Sequence, residues 1–182
     1  MSSIAATMNA APDTDARFLA ALEAHRGILY KVARAYGRSA ADREDIVQET
    51  VVQLWRAFPK YDPAYKFSTW MYRIAVNVAI THYRSERRRI RDTVPLEDYG
   101  LDIAAADALF DDAGDNIRAL RQMINGLDEL NRALILLFLE GFSSEEIADV
   151  VGISASNVST RINRLKIKLQ TEFNAQKEGI PA

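Results

Sequence analysis

Hydrophobic residues recur along this chain mainly with the spacing of an α-helix, at every third or fourth position. No run alternates apolar and polar residues in the way that a half-buried strand does. The pattern therefore predicts an all-α protein. Seven helices are predicted, over Ala16–Tyr36, Asp42–Phe58, Phe67–Arg91, Asn116–Leu127, Glu129–Glu140, Ser144–Val151 and Ala155–Phe173.

The chain divides into two helical lobes at a segment of different composition. Residues 92–115 contain Pro95, Gly100 and Gly114, many acidic residues and apolar residues without a firm period, which is typical of a linker. We expect a disordered tail over residues 1–15, a three-helix lobe over 16–91, this acidic flexible linker over 92–115, a four-helix lobe over 116–174 and a tail over 175–182. The expected architecture is two small helical domains on one chain.

The second predicted helix, Asp42–Phe58, buries one face and exposes a largely acidic and amide face. The inward positions, spaced as in an amphipathic helix, are Ile46, Val47, Thr50, Val51, Leu54 and Phe58. The outward positions are Asp45, Gln48, Glu49, Val52 and Arg56. A valine surrounded by carboxylates and amides suits a basic partner helix better than DNA, although a merely solvated face has the same pattern.

The third predicted helix, Phe67–Arg91, is apolar on most sides, which is typical of the central helix of a bundle. Its remaining stripe and basic end carry Trp70, Arg73, Asn77, Arg84, Arg87 and Arg88. Bases stack on aromatic rings and guanidinium groups neutralise phosphates, so this combination favours binding of unpaired nucleic acid. Trp70 taken alone is equally consistent with a core position.

The loop Pro59–Lys66, which precedes this helix, carries Tyr61, Tyr65 and Lys66. Such a loop can form a pocket for an extruded base, because stacking and edge contacts offset the energy of flipping the base. An ordinary connecting loop can have the same composition.

The segment from Ser143 to Leu169 predicts a helix-turn-helix. Ser143 and Glu146 form a capping-box sequence, Ala148 is small where two helices would cross, and Gly152 can adopt a positive φ in the turn. The second helix opens at Ser154, and its apolar face carries Val158, Ile162, Leu165 and Leu169. Its polar face and flanks carry Ser156, Asn157, Thr160, Arg161, Arg164 and Lys168. These residue types reach base edges and phosphates in the major groove, unless the motif is only a hairpin with a solvated face.

Charge is segregated along the chain although the net charge is only -2. The segment Arg84–Arg91 has five arginines and one glutamate, whereas residues 92–116 have eight acidic residues and no basic one. Residues 153–171 have four basic residues and no acidic one. The two basic segments can therefore attract nucleic acid locally within a slightly acidic chain.

Composition excludes several classes of site. The 182 residues contain no cysteine, so disulfides, thiolate metal sites and cysteine nucleophiles cannot form. His25 and His82 lack metal-site spacing and predict packing or surface roles. The longest apolar run, Ala133–Leu139, is far shorter than the roughly 18 residues of a membrane span. We therefore predict no catalytic residue, no metal site and no cofactor.

The order of these motifs resembles a known family. The sequences "DREDIVQETVVQLW" and "KFSTWMYRIAVNVAI" with its arginine-rich end, followed by the terminal helix-turn-helix, resemble regions 2 and 4 of the extracytoplasmic-function class of bacterial sigma factors. The resemblance spans Arg17 to Phe173. Two residues depart from the family pattern: Asp128 stands where proline is usual, and Thr81 stands where an acidic or amide residue is common.

The resemblance implies a role for each predicted surface. Asp45, Gln48, Glu49, Val52 and Arg56 would dock on the β′ clamp coiled coil of core RNA polymerase, which also offers its β flap as a contact. The loop Pro59–Lys66 and the helix after it would capture the melted -10 element of promoter DNA. The helix from Ala155 would read the -35 element.

The resemblance also implies an anti-sigma factor as partner and a cytoplasmic location in bacteria, with possible retention at the inner membrane when that partner is membrane-bound. No small-molecule substrate is implied. An autonomous helix-turn-helix regulator with an N-terminal interaction domain is the alternative, but it leaves the acidic helix and the Trp70 stripe without a role. An enzyme is disfavoured because the sequence has no phosphate loop, metal spacing or nucleophile-base pair.

Overall fold

A computed structural model describes residues 11–93 and 115–177 of the chain. Within these residues the chain is helical and contains no strand, which confirms the all-α prediction. The helices are α1 (Ala11–His25), α2 (Gly27–Tyr36), α3 (Ala40–Ala57), α4 (Phe67–Thr93), α5 (Asp115–Asn125), α6 (Glu129–Leu139), α7 (Ser144–Val151) and α8 (Ala155–Lys177), with a 3-10 turn over Phe58–Lys60. Most of the predicted linker lies outside the described residues.

The first predicted helix, Ala16–Tyr36, is wrong as a single element. The chain forms α1 and α2, which meet at Arg26 and Gly27, and α1 already begins at Ala11, inside the predicted tail. Glycine is the poorest helix former after proline, which favours a break here. Helix α2 then buries Ile28 and Leu29. The N-terminal lobe therefore has four helices instead of three.

Local capping explains where α3 begins and ends. Ser39 accepts a hydrogen bond from the backbone N–H of Asp42 at 3.0 Å, and the Asp42 carboxylate accepts from the Ser39 N–H at 3.1 Å. This capping box starts α3 at Ala40, two residues before the predicted start. Pro59 follows the last turn, where a proline cannot continue the helix, and the chain tightens into the 3-10 turn.

Helix α4 is the central helix of its lobe, as its apolar pattern predicts, and it also contacts the other lobe. It packs on α2 and α3 of its own lobe and on α6 and α7 of the C-terminal lobe. Met71 and Ala75 are fully buried, whereas Ile74 and Val78 are only half-buried. Tyr72 and Ala79 are buried in addition. The helix therefore supports both lobes at once.

Candidate nucleic-acid and partner interfaces

The outward face of α3 is exposed as the sequence predicts. Asp45, Gln48, Glu49, Val52 and Arg56 all face solvent, while Ile46, Thr50 and Leu54 are buried. Two large apolar side chains stand on this surface, Val52 at 40% exposure and Trp55 at 42%. Sequence reasoning missed Trp55, although its spacing of three residues from Val52 places both on adjacent turns. Together they form an apolar centre with an acidic and amide rim.

A groove runs between α3 and α4 beside this surface. Its volume is about 540 Å³, and it is lined by Glu49, Gln53, Ala57, Ile74, Asn77, Val78, Thr81 and His82. The apolar floor explains why Ile74 and Val78 are only half-buried. Gln53 donates to Glu49 across one turn at 2.6 Å, which orders the α3 side of the rim. The α4 side carries polar groups that include Asn77 and Thr81.

Trp70 belongs to an aromatic cluster at the base of the loop before α4. Its ring centroid lies 4.9 Å from that of Tyr61, 5.3 Å from that of Phe67 and 6.4 Å from that of Phe58. Phe18 of α1 packs edge-on against Phe58 at 5.3 Å. Trp70 remains half-buried, so it contributes to packing and also reaches the surface. Both interpretations of Trp70 therefore apply in part.

The other residues predicted to bind the -10 element are of two kinds. Some face solvent, and others form ion pairs with the C-terminal lobe. Tyr65, Arg73, Asn77, Arg87 and Arg88 are exposed, and Tyr65 reaches 69% exposure. Lys66 and Arg84 are also on the surface, but both pair with carboxylates of the C-terminal lobe. Lys66 Nζ lies 2.9 Å from Glu146, and Arg84 Nε lies 2.9 Å from Glu129.

The helix-turn-helix is formed by α7 and α8 with the geometry that the sequence predicts. Ser143 accepts from the Glu146 N–H at 3.2 Å, and the Glu146 carboxylate accepts from the Ser143 N–H at 3.0 Å. Gly152 ends α7 with φ 75°, a left-handed conformation that favours glycine. Ser154 then caps α8 by accepting from the Asn157 N–H.

The two faces of α8 also agree with the sequence. Val158, Ile162, Leu165 and Leu169 are buried against α5, α6 and α7. On the other side Ser156, Asn157, Thr160, Arg164 and Lys168 are exposed and Arg161 is half-buried. The Arg161 guanidinium donates to the Asn157 side-chain oxygen at 3.0 Å, which orients both groups on one surface. The first turns of α8 therefore carry an amide, two hydroxyls and two arginines on this surface.

Asp128 performs a local role at the position where proline is usual. Its side chain caps α6 by accepting from the Asn131 backbone N–H at 2.9 Å. An aspartate at the N-cap stabilises the start of a helix by accepting a hydrogen bond from a free backbone N–H of the first turn. The departure therefore preserves the helix start.

Hydrogen bonds that involve residues close to Asp128 in the sequence connect the two lobes. Tyr36 donates its hydroxyl to the Glu129 carbonyl oxygen at 2.7 Å, and Arg132, at 4% exposure, donates to the Ala35 carbonyl oxygen at 2.9 Å. The Arg132 guanidinium also lies over the ring of Tyr83, 5.0 Å from its centroid. Burial raises the pKa of Tyr36 well above its ordinary value, so the hydroxyl stays protonated and able to donate.

Two other kinds of site are absent from residues 11–93 and 115–177. No helix there is long and apolar enough to cross a membrane. No group of three His, Cys, Asp or Glu side chains there is placed to hold a metal ion.

Comparison with protein families matches both lobes. Residues 21–89 match the family model for Sigma-70 region 2, and residues 117–169 match the model for Sigma-70, region 4. The first interval contains the α3 surface and the aromatic loop, and the second contains the helix-turn-helix.

Individual relatives agree with this division. The RNA polymerase sigma factor CnrH of Cupriavidus metallidurans is 31% identical over 86% of this chain and 87% of its own length. The extracytoplasmic-function sigma factor SigW of Bacillus subtilis is 28% identical over 88% of this chain and 90% of its own length.

Solved structures have the same fold. A structure of CnrH in complex with the cytosolic domain of CnrY superposes with a TM-score of 0.61 at 27% identity, covering 87% of this chain and 88% of that chain. The sigma factor RpoE of Bartonella quintana, in complex with the anti-sigma factor NepR, has a TM-score of 0.63 at 20% identity, covers 89% of this chain and 97% of that chain, and supports the fold alone. The chain thus belongs to the extracytoplasmic-function sigma factors of the sigma-70 family, and its function is promoter-specific initiation of transcription by RNA polymerase.

Proposed function

We propose that each exposed surface performs one step of initiation. The face of α3 around Val52 and Trp55 docks on the β′ clamp coiled coil, the loop Pro59–Lys66 with α4 captures the melted -10 strand, and α8 reads the -35 element. The observation that carries the proposal is the capped helix-turn-helix, because it leaves the first turns of α8 open while its apolar face is buried. In this proposal region 2 spans residues 16–91 and region 4 spans residues 116–174.

The docking proposal rests on the composition of the α3 surface. An apolar centre that is desolvated on binding, within a rim that excludes water, is typical of an interaction hot spot. The rim residues Asp45, Gln48 and Glu49 give it the charge that a basic coiled coil requires.

Replacing Gln48 and Val52 together with alanine tests this surface. We expect the affinity for purified core polymerase to fall at least about tenfold, as loss of a hot spot does. Tyr30→Ala on α2 removes a side chain with 53% exposure from another surface and serves as the matched control. Equal affinities for the double variant, the control and the wild type would remove the docking assignment.

The -10 proposal rests on the neighbourhood of stacking and basic groups. Tyr61 and Trp70 are held in the aromatic cluster, Tyr65 extends into solvent, and basic side chains line the adjacent part of α4. Stacking tolerates any base, so recognition of sequence requires edge contacts from residues such as Arg73 and Asn77.

Tyr65→Ala is the cleanest test of strand capture, because this side chain is exposed and contributes little to packing. We expect slower promoter opening with unchanged thermal stability and unchanged closed-complex binding. Trp70→Ala is less clean because it opens the aromatic cluster, so Trp70→Phe controls for packing. Opening at the wild-type rate in Tyr65→Ala would exclude this residue from the site.

The partners and location follow from the same assignment. Solved relatives include a sigma factor bound to an anti-sigma factor and one bound to the cytosolic domain of another protein. We therefore infer that an anti-sigma factor, membrane-bound or not, restrains this chain in the bacterial cytoplasm. The sigma factor itself performs no catalysis, and polymerase supplies the chemistry. The β flap is the expected contact for region 4.

A further inference from the structure

The two tyrosines of the loop before α4 lie four residues apart, and the structure gives them different surroundings. Tyr61 is half-buried among aromatic rings, whereas Tyr65 is 69% exposed. We propose that Tyr61 is a positioning residue: its hydroxyl, together with a turn that begins at Asp62, fixes Tyr65 so that the Tyr65 ring can stack on an unpaired base of the -10 strand. This proposal rests on the function proposed above for Tyr65.

The ring of Tyr61 is engaged in packing. It is stacked with the ring of Phe58, at an interplanar angle of 15° and a centroid distance of 6.1 Å. It lies edge-on to Phe67 at 5.4 Å and is tilted against Trp70 at 4.9 Å. These contacts fix the plane of the ring and therefore the direction of its hydroxyl. Tyr61 is thus better placed to support the loop than to stack on a base.

Both backbone polar groups of Tyr65 are bound within the loop. The Tyr61 hydroxyl donates to the Tyr65 carbonyl oxygen at 2.6 Å, and the Tyr65 N–H donates to the Asp62 carbonyl oxygen at 3.1 Å. The second bond closes a β-turn in which Asp62 is the first residue and Pro63 the second, a position that the fixed φ of proline favours. The Ala64 N–H donates to the Asp62 carboxylate at 2.9 Å. The backbone that carries the Tyr65 ring is therefore ordered by region 2 itself.

The side chain of Tyr65 is the part of this loop that is available to a ligand. Its ring projects into solvent, and Lys66 and Arg73 are exposed on the same part of the chain. A base can stack on an exposed ring while a neighbouring cation meets the phosphate. An aromatic ring on an ordered backbone therefore suits the capture of a single strand.

Order in the loop lowers the free-energy cost of capturing the strand. A flexible loop loses backbone entropy when a base stacks on it, and that loss opposes binding. Here the hydrogen bonds from Tyr61 and within the turn impose the order in the free protein. Removing the Tyr61 hydroxyl should therefore weaken capture, although no atom that stacks on DNA is removed. Loss of one such hydrogen bond corresponds to a change of about 3- to 10-fold.

A double-mutant cycle on Tyr61 and Tyr65 tests the proposal in holoenzyme reconstituted with core polymerase. Tyr61→Phe keeps the packed ring and removes only the hydroxyl. We expect it to slow promoter opening about 3- to 10-fold with unchanged closed-complex binding. Opening is followed by the fluorescence of 2-aminopurine in the -10 element of a promoter that the holoenzyme transcribes. In the Tyr65→Ala background the same change should slow opening less than about twofold, because the ring that Tyr61 positions is absent.

Tyr30→Phe is the matched control for the cycle. It removes a hydroxyl from another exposed tyrosine, on α2 and outside the loop. It should open the promoter at the wild-type rate in both backgrounds. A general loss of stability in Tyr61→Phe would instead lower the thermal midpoint and slow opening equally in both backgrounds.

A second pair of variants isolates the turn. Asp62→Asn and Asp62→Ala remove the same negative charge, but only asparagine keeps a side-chain oxygen that can accept from the Ala64 N–H. We expect opening to be about 3- to 10-fold slower in Asp62→Ala than in Asp62→Asn. Equal rates in the two variants would contradict the role of the turn.

Proteolysis reports the order of the loop without DNA or polymerase. Chymotrypsin accepts aromatic side chains, and cleavage within a folded chain requires the backbone to open locally. Cleavage of the full chain between Tyr65 and Lys66, followed by mass spectrometry, should be about 3- to 10-fold faster in Tyr61→Phe and in Asp62→Ala than in the wild type. Asp62→Asn should be cleaved at about the wild-type rate. Equal cleavage in all four proteins would overturn the proposal, because the hydrogen bonds would then not order the loop.

The outcomes separate this proposal from the function on which it rests. Slow opening in Tyr65→Ala together with wild-type opening in Tyr61→Phe would overturn the positioning role and leave the function of Tyr65 standing. An equal effect of Tyr61→Phe in both backgrounds would also overturn it, since Tyr61 would then act without Tyr65. Wild-type opening in Tyr65→Ala would refute the function proposed for that residue and, with it, this proposal.

Discussion

The two DNA-facing surfaces of this sigma factor differ in how they are made. In region 4 the surface is one side of α8, and its opposite side is buried in the same lobe. In region 2 the surface is composite, since it combines a loop, the aromatic cluster and the basic part of α4. The first depends on local pattern, whereas the second depends on tertiary packing and is partly covered by the other lobe. A single substitution in region 4 should therefore affect mainly the contact that its own side chain makes. A single substitution in region 2 should also disturb neighbouring residues of the binding surface.

The largest expected effect concerns the buried leucines of the two lobes. Leu54→Ala in α3 and Leu165→Ala in α8 each remove a buried side chain and should lower the free energy of unfolding by about 2–5 kcal/mol. Both tryptophans, Trp55 and Trp70, lie in region 2, so tryptophan fluorescence reports region 2 while circular dichroism reports both lobes. Leu165→Ala should therefore shift the dichroism midpoint in guanidinium more than the fluorescence midpoint.

Ile167→Ala, at a position with 67% exposure, should change the free energy of unfolding by less than about 0.5 kcal/mol. A fluorescence midpoint that shifts equally with the dichroism midpoint in Leu165→Ala would show that the lobes unfold as one unit. That result would contradict the comparison.

The next largest effect concerns the proposed contacts between α8 and the -35 element. Arg161→Ala or Arg164→Ala should weaken binding to the cognate -35 element by about 1–3 kcal/mol and relax specificity at one position, because an arginine reads a guanine edge through paired bonds. Lys168→Ala should weaken binding to all sequences alike and lower the salt slope by about 1. Competition assays with single-base variants of the element measure both. Equal losses on every sequence for Arg161→Ala would reassign it to phosphate.

A smaller effect is expected when the capping box that starts a helix is removed from either lobe. Ser39→Ala and Ser143→Ala each remove a capping box and should cost about 1 kcal/mol of unfolding free energy. Ser39→Ala should move the tryptophan fluorescence midpoint more than Ser143→Ala does. Ser156→Ala, inside α8 on its exposed face, is the control and should be close to neutral. A fluorescence shift in Ser143→Ala as large as that in Ser39→Ala would indicate that capping in region 4 stabilises region 2 equally.

The smallest effect is a pH dependence of the contact between the lobes. The pKa of Glu129 is lowered first by its own backbone N–H and then by Arg84. A lowered pKa stabilises the folded chain above the unfolded value, near 4.5, and this contribution is lost as the pH falls through the folded value. Glu129→Gln should therefore flatten the fall in stability below about pH 4.5. An acid profile identical to that of the wild type would exclude Glu129 as a contributor.

The sequence predicted the elements whose cause is local. The capping box at Ser143, the positive φ of Gly152 and the buried stripe of α8 each depend on residues within a few positions, and all three are confirmed. The exposed face of α3 is confirmed for the same reason, although Trp55 was missed on it. The break at Arg26 was missed because a single glycine such as Gly27 weakens a helix without necessarily ending it.

The sequence could not predict contacts between distant residues. Arg132 is a charged residue inside a helix pattern, and nothing nearby in sequence indicates that it lies against Ala35 and Tyr83. The sequence does not decide whether Trp70 lies in the core or at the surface, because its partners Tyr61 and Phe58 belong to the preceding loop and turn. The roles of the individual docking and DNA-binding residues stay predictions until they are measured.

Run-off transcription with purified core polymerase tests the central claim most directly. A template carrying the promoter that lies upstream of the gene for this chain, or a selected library of promoters, would be transcribed with and without the protein. We predict start-site-specific transcripts only when the protein is present, and their loss in the Gln48 and Val52 double variant. Transcripts no more specific than those of core polymerase alone would contradict the account.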